Sequence, residues 1–277
     1  MSTSPVTVGI VGLGRSGWDI HAAALQRIPE RYRVVAVTDL IEARRQQATE
    51  VLSCRAYSNP ADLFADPEVE LVIVASPNYL HPVHTIAALQ AGKAVVCEKP
   101  VAPRLVDLDS MIAAAERTGN LFTVFQNRRY DPGFRKIKEV IASGKLGRIV
   151  EIKISAHSFG RRWDWQTLRG YAAGQLRNNG VHFLDHAVEL MGFAEPEVFS
   201  HLERTLALGD APGGRRRGAR SVRALRPRAG APQLEPPGGT VACVVLVRTG
   251  VAPWRNAAGG GQRGLRPGAL TAAGGAG

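Results

Sequence analysis

Two side chains able to move a proton near neutral pH stand beside turn-forming residues. Lys99 closes the apolar run KAVVCEK (93–99) next to Pro100. Partial loss of water there lowers a lysine's pKa and suits it to proton transfer, although the same lysine could instead cap the strand by pairing with Glu98. His182 lies in GQLRNNGVHFLDHAVELMG (174–192), four residues before His186 and with Asp185 between them. Histidines so spaced can share a helix face and a metal ion. Phe183, however, stands where a zinc protease carries its glutamate base, and no third ligand follows, so no metal site is expected. His186 reads as a packing residue, and Asp185 as a group that orients a neighbouring ring or caps the structure.

Gly12-Leu13-Gly14-Arg15-Ser16-Gly17 follows the run VTVGIVG (6–12) and opens a helical stretch. Glycines in this setting permit a tight turn and close approach of a pyrophosphate to free helix N–H groups. Asp39 ends the second strand, 22 residues beyond Gly17, near the distance at which an acid meets an adenosine ribose hydroxyl. It would repel a 2′-phosphate and so favours NAD, while Arg44 and Arg45 close by leave NADP possible. ASPNYLHP (75–82) and CEKP (97–100) fall at the carboxyl ends of strands, where open α/β sheets bind ligands. Gln126, Asn127, Arg128 and Arg129 follow another strand and could line a substrate pocket, with surface salt bridging the other use of the arginines. Trp163 and Trp165 could stack on a sugar or close over a cofactor, but buried packing is the commoner fate of tryptophan.

The elements that must position these residues follow from periodicity. Runs at 6–12, 32–39, 69–76 and 93–99 are β-branched and lack strict alternation, as strands buried on both faces do. Segments near 16–29, 41–52, 79–91 and 104–118 have helical spacing, and LFTVF (121–125) adds a strand. The alternation predicts an α/β fold, a doubly wound parallel sheet over 1–122. From 123 to 210 the pattern becomes α+β. PGFRKIKEVIASGKLG (132–147) reads as a helix stopped by glycine, RIVEIKISAHS (148–158) alternates like a strand with one open face, and PEVFSHLERTLAL (196–208) could be another strand, in a sheet expected to be incomplete.

Residues 211–277 change character. They hold eleven arginines, no lysine and one acid, Glu235, and carry nearly all of the formal net charge of +11. Such a Gly/Ala/Arg/Pro-rich segment is expected to be a disordered tail, and its abrupt onset fits out-of-frame translation of GC-rich coding sequence. Arginines without interleaved aromatics supply only nonspecific attraction to nucleic acid, so no specific nucleic-acid partner is expected. No apolar run approaches the ~18 residues of a membrane helix and no cleavable leader is evident, which points to a cytoplasmic protein without a membrane partner. Three scattered cysteines suggest neither a disulfide framework nor a metal pair.

Taken together, GxGxxG followed by His21, SPNYLH, EKP, NRRYDP and GQLRNNGVHFLD resemble, in order, the motifs of the glucose–fructose oxidoreductase/inositol dehydrogenase (Gfo/Idh/MocA) family. The resemblance covers about residues 6–208. It implies a Rossmann domain with NAD or NADP held by Gly12, Gly14, Arg15, Ser16, Gly17, Asp39, Ser76, Asn78, His81 and Glu98. It further implies that Lys99 and His182 are catalytic and that Arg128 and Asn178, with them, bind a sugar, cyclitol or related polyol. Many members carry Asp where this chain has Asn178, which can hold a hydroxyl but cannot exchange a proton. A nonredox relative, either a sensor or an NAD-dependent glycosidase, and an inactive truncated product are the alternatives. Relatives are homo-oligomers, which the altered tail puts in doubt here.

Overall fold

The computed structural model describes residues 4–149, 151–158, 164–174, 176–193, 198, 201–204, 220–223 and 241–248. Strands β1 (Val6–Val11), β2 (Tyr32–Thr38), β3 (Arg55–Tyr57), β4 (Leu71–Val74), β5 (Ala94–Glu98) and β6 (Phe122–Phe125) form a sheet ordered β3-β2-β1-β4-β5-β6. Every neighbouring pair is parallel. The order reverses between β1 and β4, which leaves a crevice at the carboxyl ends of the strands. A π-helical segment, Ser16–Ala22, runs into α1 (Ala23–Leu25), and α2 (Glu42–Leu52), α3 (Pro60–Ala65), α4 (His81–Gln90) and α5 (Leu105–Thr118) supply the other crossovers. β3 and α3 are additions to the sequence reading. RAY is too short to display a period, and α3 is announced only by Asn59, whose Oδ1 accepts the Ala61 amide at 3.0 Å, and by Pro60.

Successive residues of a strand point to opposite faces, and here both faces are buried. Val72 and Val74 join Leu63, Leu89 and Met111 on one side, while Ile73 joins Val8, Ile10 and Val37 on the other. That is why the runs lack alternation. Gly9, in the middle of β1, makes room for α3: a Cβ there would lie 2.8 Å from Leu63 Cδ2.

The second sheet is mixed. β7 (Glu151–Ser158), β8 (His201–Arg204), β9 (Arg220–Arg223) and β10 (Val241–Arg248) lie in the order β7-β10-β9-β8. Ile152 is buried between exposed Glu151 and Lys153, the alternation read from the sequence. α7 (Val181–Leu190) packs against β7 and β10. α6 (Pro132–Ala142) ends before Gly144, whose φ of 73° suits glycine. α7 is tied back by ions: Arg129 holds Asp185 through two bonds of 2.9 and 2.6 Å, and Lys138 on α6 reaches Glu189 at 2.6 Å.

The expectation of a wholly disordered 211–277 tail is corrected at two places. Arg220–Arg223 and Val241–Arg248 are strands, and β10 pairs antiparallel with β7 over eight residues. VACVVLV is an apolar run that the surrounding Gly/Arg bias concealed, and pairing with an existing strand satisfies its backbone. The rest of that expectation lies outside the described residues.

Leu63 has no exposed surface and fills the space that Gly9 leaves. Leu63→Ala is therefore expected to cost about 2–5 kcal/mol of unfolding free energy in urea titration, the range for an unrelaxed core cavity.

Candidate active site

The glycine turn joins β1 to the π-helical segment. Gly12 has a φ of 92° and its backbone approaches Ala75 so closely that a Cβ would lie 2.7 Å from the Ala75 carbonyl oxygen. At Gly17 a Cβ would fall 1.8 Å from the Gly12 carbonyl oxygen. These two glycines are demanded by the fold. Gly14 is different, because a Cβ there meets nothing within 4 Å and would project into open space. That is the fit expected where a pyrophosphate approaches. Arg15 is exposed and Ser16 half-buried at the start of the segment.

Asp39 braces this turn: its Oδ2 accepts the Leu13 amide at 2.7 Å and its Oδ1 the Ile41 amide at 2.9 Å. Arg44 Nη1 lies 3.3 Å from the same Oδ2, and Arg45 donates to the Asp39 carbonyl at 2.7 Å. An acid and a cation therefore stand together at the end of β2.

The loop after β4 is built around His81, which is 1% exposed. Its Nε2 lies 2.8 Å from the Ser76 carbonyl oxygen and its Nδ1 2.8 Å from that of Pro100. His81 thus lies between the SPNYLH and EKP loops, with one ring nitrogen set against a carbonyl of each. Ser76 Oγ pairs with His84 Nδ1 at 3.0 Å, and Asn78 Nδ2 donates to the Ala172 carbonyl at 3.1 Å.

At the end of β5, Glu98 is buried against His21 of the π-helical segment, with Oε1 and Nε2 3.0 Å apart. Burial alone would raise the Glu98 pKa. The His21 hydrogen bond and charge, the Lys99 charge and the Lys99 amide outweigh it and hold the carboxyl below its ordinary value. The Lys99 amide donates to Glu98 Oε2 at 3.0 Å, while Lys99 Nζ crosses to the Asn178 carbonyl at 2.7 Å. Lys99–Pro100 is a cis peptide.

Asn178 lies on a second π-helical segment, Leu176–Gly180, and is buried. Its side-chain nitrogen is engaged within the protein. Nδ2 donates to the Gln166 carbonyl at 3.1 Å, and it is the backbone carbonyl that receives Lys99. An aspartate at 178 would set a carboxylate against that Gln166 carbonyl, so asparagine suits the arrangement present.

His182 follows on α7 and is 4% exposed, with Nδ1 lacking a hydrogen-bond partner among the described residues. Burial, then the positive charges of Lys99 and Arg128, push its pKa down to about 4. Arg128 is exposed beside it. His186 turns away: its ring stacks on Phe134 at 3.7 Å, and Nε2 lies 3.0 Å from the Arg128 carbonyl oxygen. Asp185, committed to Arg129, orients no ring. Among the described residues no group of three ligating side chains could hold a metal ion. Trp165 and Tyr171 lie 6.0 Å apart and Tyr171 meets Tyr79 edge-on at 5.3 Å; Trp163 is outside the described residues.

The His21–Glu98 pair was the feature least visible in advance. Its partners are far apart in sequence, and its only signal was His21 in the family resemblance.

The fold defines a protein with a doubly wound, Rossmann-like domain followed by an α+β domain. Residues 6–126 match the family model of the oxidoreductase family with an NAD-binding Rossmann fold, and residues 134–212 match that of the GFO/IDH/MocA C-terminal domain. The chain belongs to the Gfo/Idh/MocA family, and its first domain is an NAD-binding Rossmann fold. It is 35% identical to myo-inositol 2-dehydrogenase of Thermotoga maritima, over 70% of this chain and 57% of that protein. It is 32% identical to the NADP(+)-dependent scyllo-inositol 2-dehydrogenase of Bacillus subtilis, over 68% and 52%. An NAD-binding protein from Listeria innocua has the same fold, with a TM-score of 0.63 and 31% identity over 74% of this chain and 60% of that one. The chain spans about half the length of the curated relatives it matches. No helix among the described residues is long and apolar enough to cross a membrane.

Gly14→Ala is expected to leave the thermal midpoint nearly unchanged and to weaken NAD binding by about tenfold or more in fluorescence titration, since the methyl enters only ligand space. A second expectation concerns pH. His84, like His182, is pushed down to about 4, chiefly by burial and then by the charge of His81. Below about pH 6.5 the unfolded chain takes up protons that these rings refuse until about pH 4, so stability falls as pH drops through that window. Unfolding free energies from urea titrations at pH 7.5 and 5.5 should differ by up to about 1 kcal/mol per ring.

Proposed function

We propose that the protein is an NAD(P)-dependent dehydrogenase or reductase acting on a secondary alcohol or ketone of a sugar, cyclitol or related polyol. The observation that carries this reading is the convergence of Lys99 and His182: Lys99 is anchored on the Asn178 carbonyl and its charge acts on the His182 ring, which is buried with a ring nitrogen unsatisfied among the described residues. Bound NAD or NADP supplies the hydride acceptor for oxidation and the donor for reduction. The chain's own residues orient and move the proton. His182 is neutral at pH 7, so a ring lone pair is available to accept the hydroxyl proton. Lys99 presents a cation that polarises the same oxygen, directly or through that proton. Asn178 cannot exchange a proton, which leaves the acid–base work to Lys99 and His182.

Arg128, exposed beside His182, is placed to hold further oxygens of the substrate. Asp39 favours NAD, and Arg44 at 3.3 Å from it supports use of NADP as well. The similarity to myo- and scyllo-inositol 2-dehydrogenases supports a cyclitol within the polyol class.

Incubation with NAD and a panel of cyclitols and sugars, read as reduced-cofactor absorbance, tests the activity. Lys99→Ala and His182→Ala should each lower kcat by about 10²-fold or more with NAD affinity nearly unchanged. Loss of NAD binding in both variants would instead assign these residues a structural role.

A further inference from the structure

A histidine that serves as a base works best when its second ring nitrogen is held by an acceptor, because that bond fixes which nitrogen carries the proton. The nearby carboxylates do not supply this to His182. Glu98 is taken by His21 and the Lys99 amide, and Asp185 by Arg129. The side-chain amide of Asn178 faces Gln166.

Among the described residues, Gln126 offers a buried acceptor at this place in the fold. The β5–β6 register pairs Glu98 with Phe125, so Gln126 follows at the level of Lys99. Gln126 Nε2 donates to the carbonyl of Val181, the residue before His182, through a long bond of 3.4 Å. Its Oε1 is buried without a hydrogen-bond partner, as is His182 Nδ1. A buried acceptor and a buried ring nitrogen left unmatched are each costly, so two such groups flanking one peptide carry a strong incentive to pair.

We propose that Gln126 is the positioning residue for His182: its Oε1 accepts a proton-bearing Nδ1 and leaves Nε2 as the basic nitrogen turned to the substrate. The pairing asks the Gln126 amide to turn about its bond to the Val181 carbonyl until Oε1 meets Nδ1. The charges that face the ring are Lys99, Arg128, His186 and Glu98.

This inference rests on the dehydrogenase reading for its catalytic consequence, but the tautomer can be read without turnover. In full-length protein labelled with ¹⁵N-histidine, the His182 signal is assigned by its loss in His182→Ala. The expected result is a protonated Nδ1 and a bare Nε2 in the parent chain. Gln126→Leu should shift the ring toward the Nε2-protonated form and lower kcat by about tenfold with KM little changed. Gln126→Glu should keep the Nδ1–H form and move the ring's titration midpoint upward. Gln126→Met, which keeps the chain length, replaces leucine if that variant unfolds. Ring signals unchanged in the Leu or Met variant overturn the proposal. A parent chain with the expected tautomer and no turnover on any polyol would overturn the dehydrogenase reading alone.

Discussion

Glu98 is a carboxylate taken out of water at the bottom of a crevice, and an ionised group so placed must be paired or the structure loses several kcal/mol. Its two oxygens are met from different parts of the chain. His21 comes from the segment that follows the glycine turn, and the Lys99 amide comes from the strand end itself. Because the pairs are short and buried, the start of the first crossover and the loop after β5 have little freedom relative to one another. The place where a dinucleotide meets the glycine turn and the place where Lys99 emerges are therefore set by the same carboxylate. Lys99 then carries the constraint across to Asn178 and so to the second domain.

Two departures from regular helix lie along this line. His21 and Asn178 both sit on π-helical segments, Ser16–Ala22 and Leu176–Gly180. A wider turn displaces side chains from the spacing of an ordinary helix and is found disproportionately at functional sites. Between them, the chain from 164 to 174 is held at both ends by asparagine amides, Asn78 on the Ala172 carbonyl and Asn178 on the Gln166 carbonyl. Both donors are neutral, so they bond these backbone carbonyls without adding charge next to Lys99. Tyr79, Tyr171 and Trp165 gather along the same stretch.

The second domain is organised by charge pairing more than by a deep core. Arg129, Asp185, Lys138 and Glu189 knit α7 to α6 and to the chain leaving β6. That network keeps the N-terminal turn of α7, and thus His182, over the end of the Rossmann sheet. Its members alternate with His186 and Phe134, whose stacked rings fill the space beneath. One face of α7 thus does electrostatic work while its first turn is given to the site.

Local sequence determined the Rossmann sheet, the glycine turn and the candidacy of Lys99 and His182, because buried parallel strands, glycine conformations and a lysine at a strand end each leave a short-range trace. β3 left none, being three residues long, and β10 was concealed because an apolar run inside a Gly- and Arg-rich stretch gains its meaning only from β7 beside it. Tertiary structure alone decided which polar groups face each other. It set both ring nitrogens of His81 against backbone carbonyls, gave Asp185 to Arg129 and set the Asn178 carbonyl against Lys99. The reason is physical: a hydrogen bond between residues 77 or 79 positions apart depends on how two loops are brought together, and no local spacing encodes that distance.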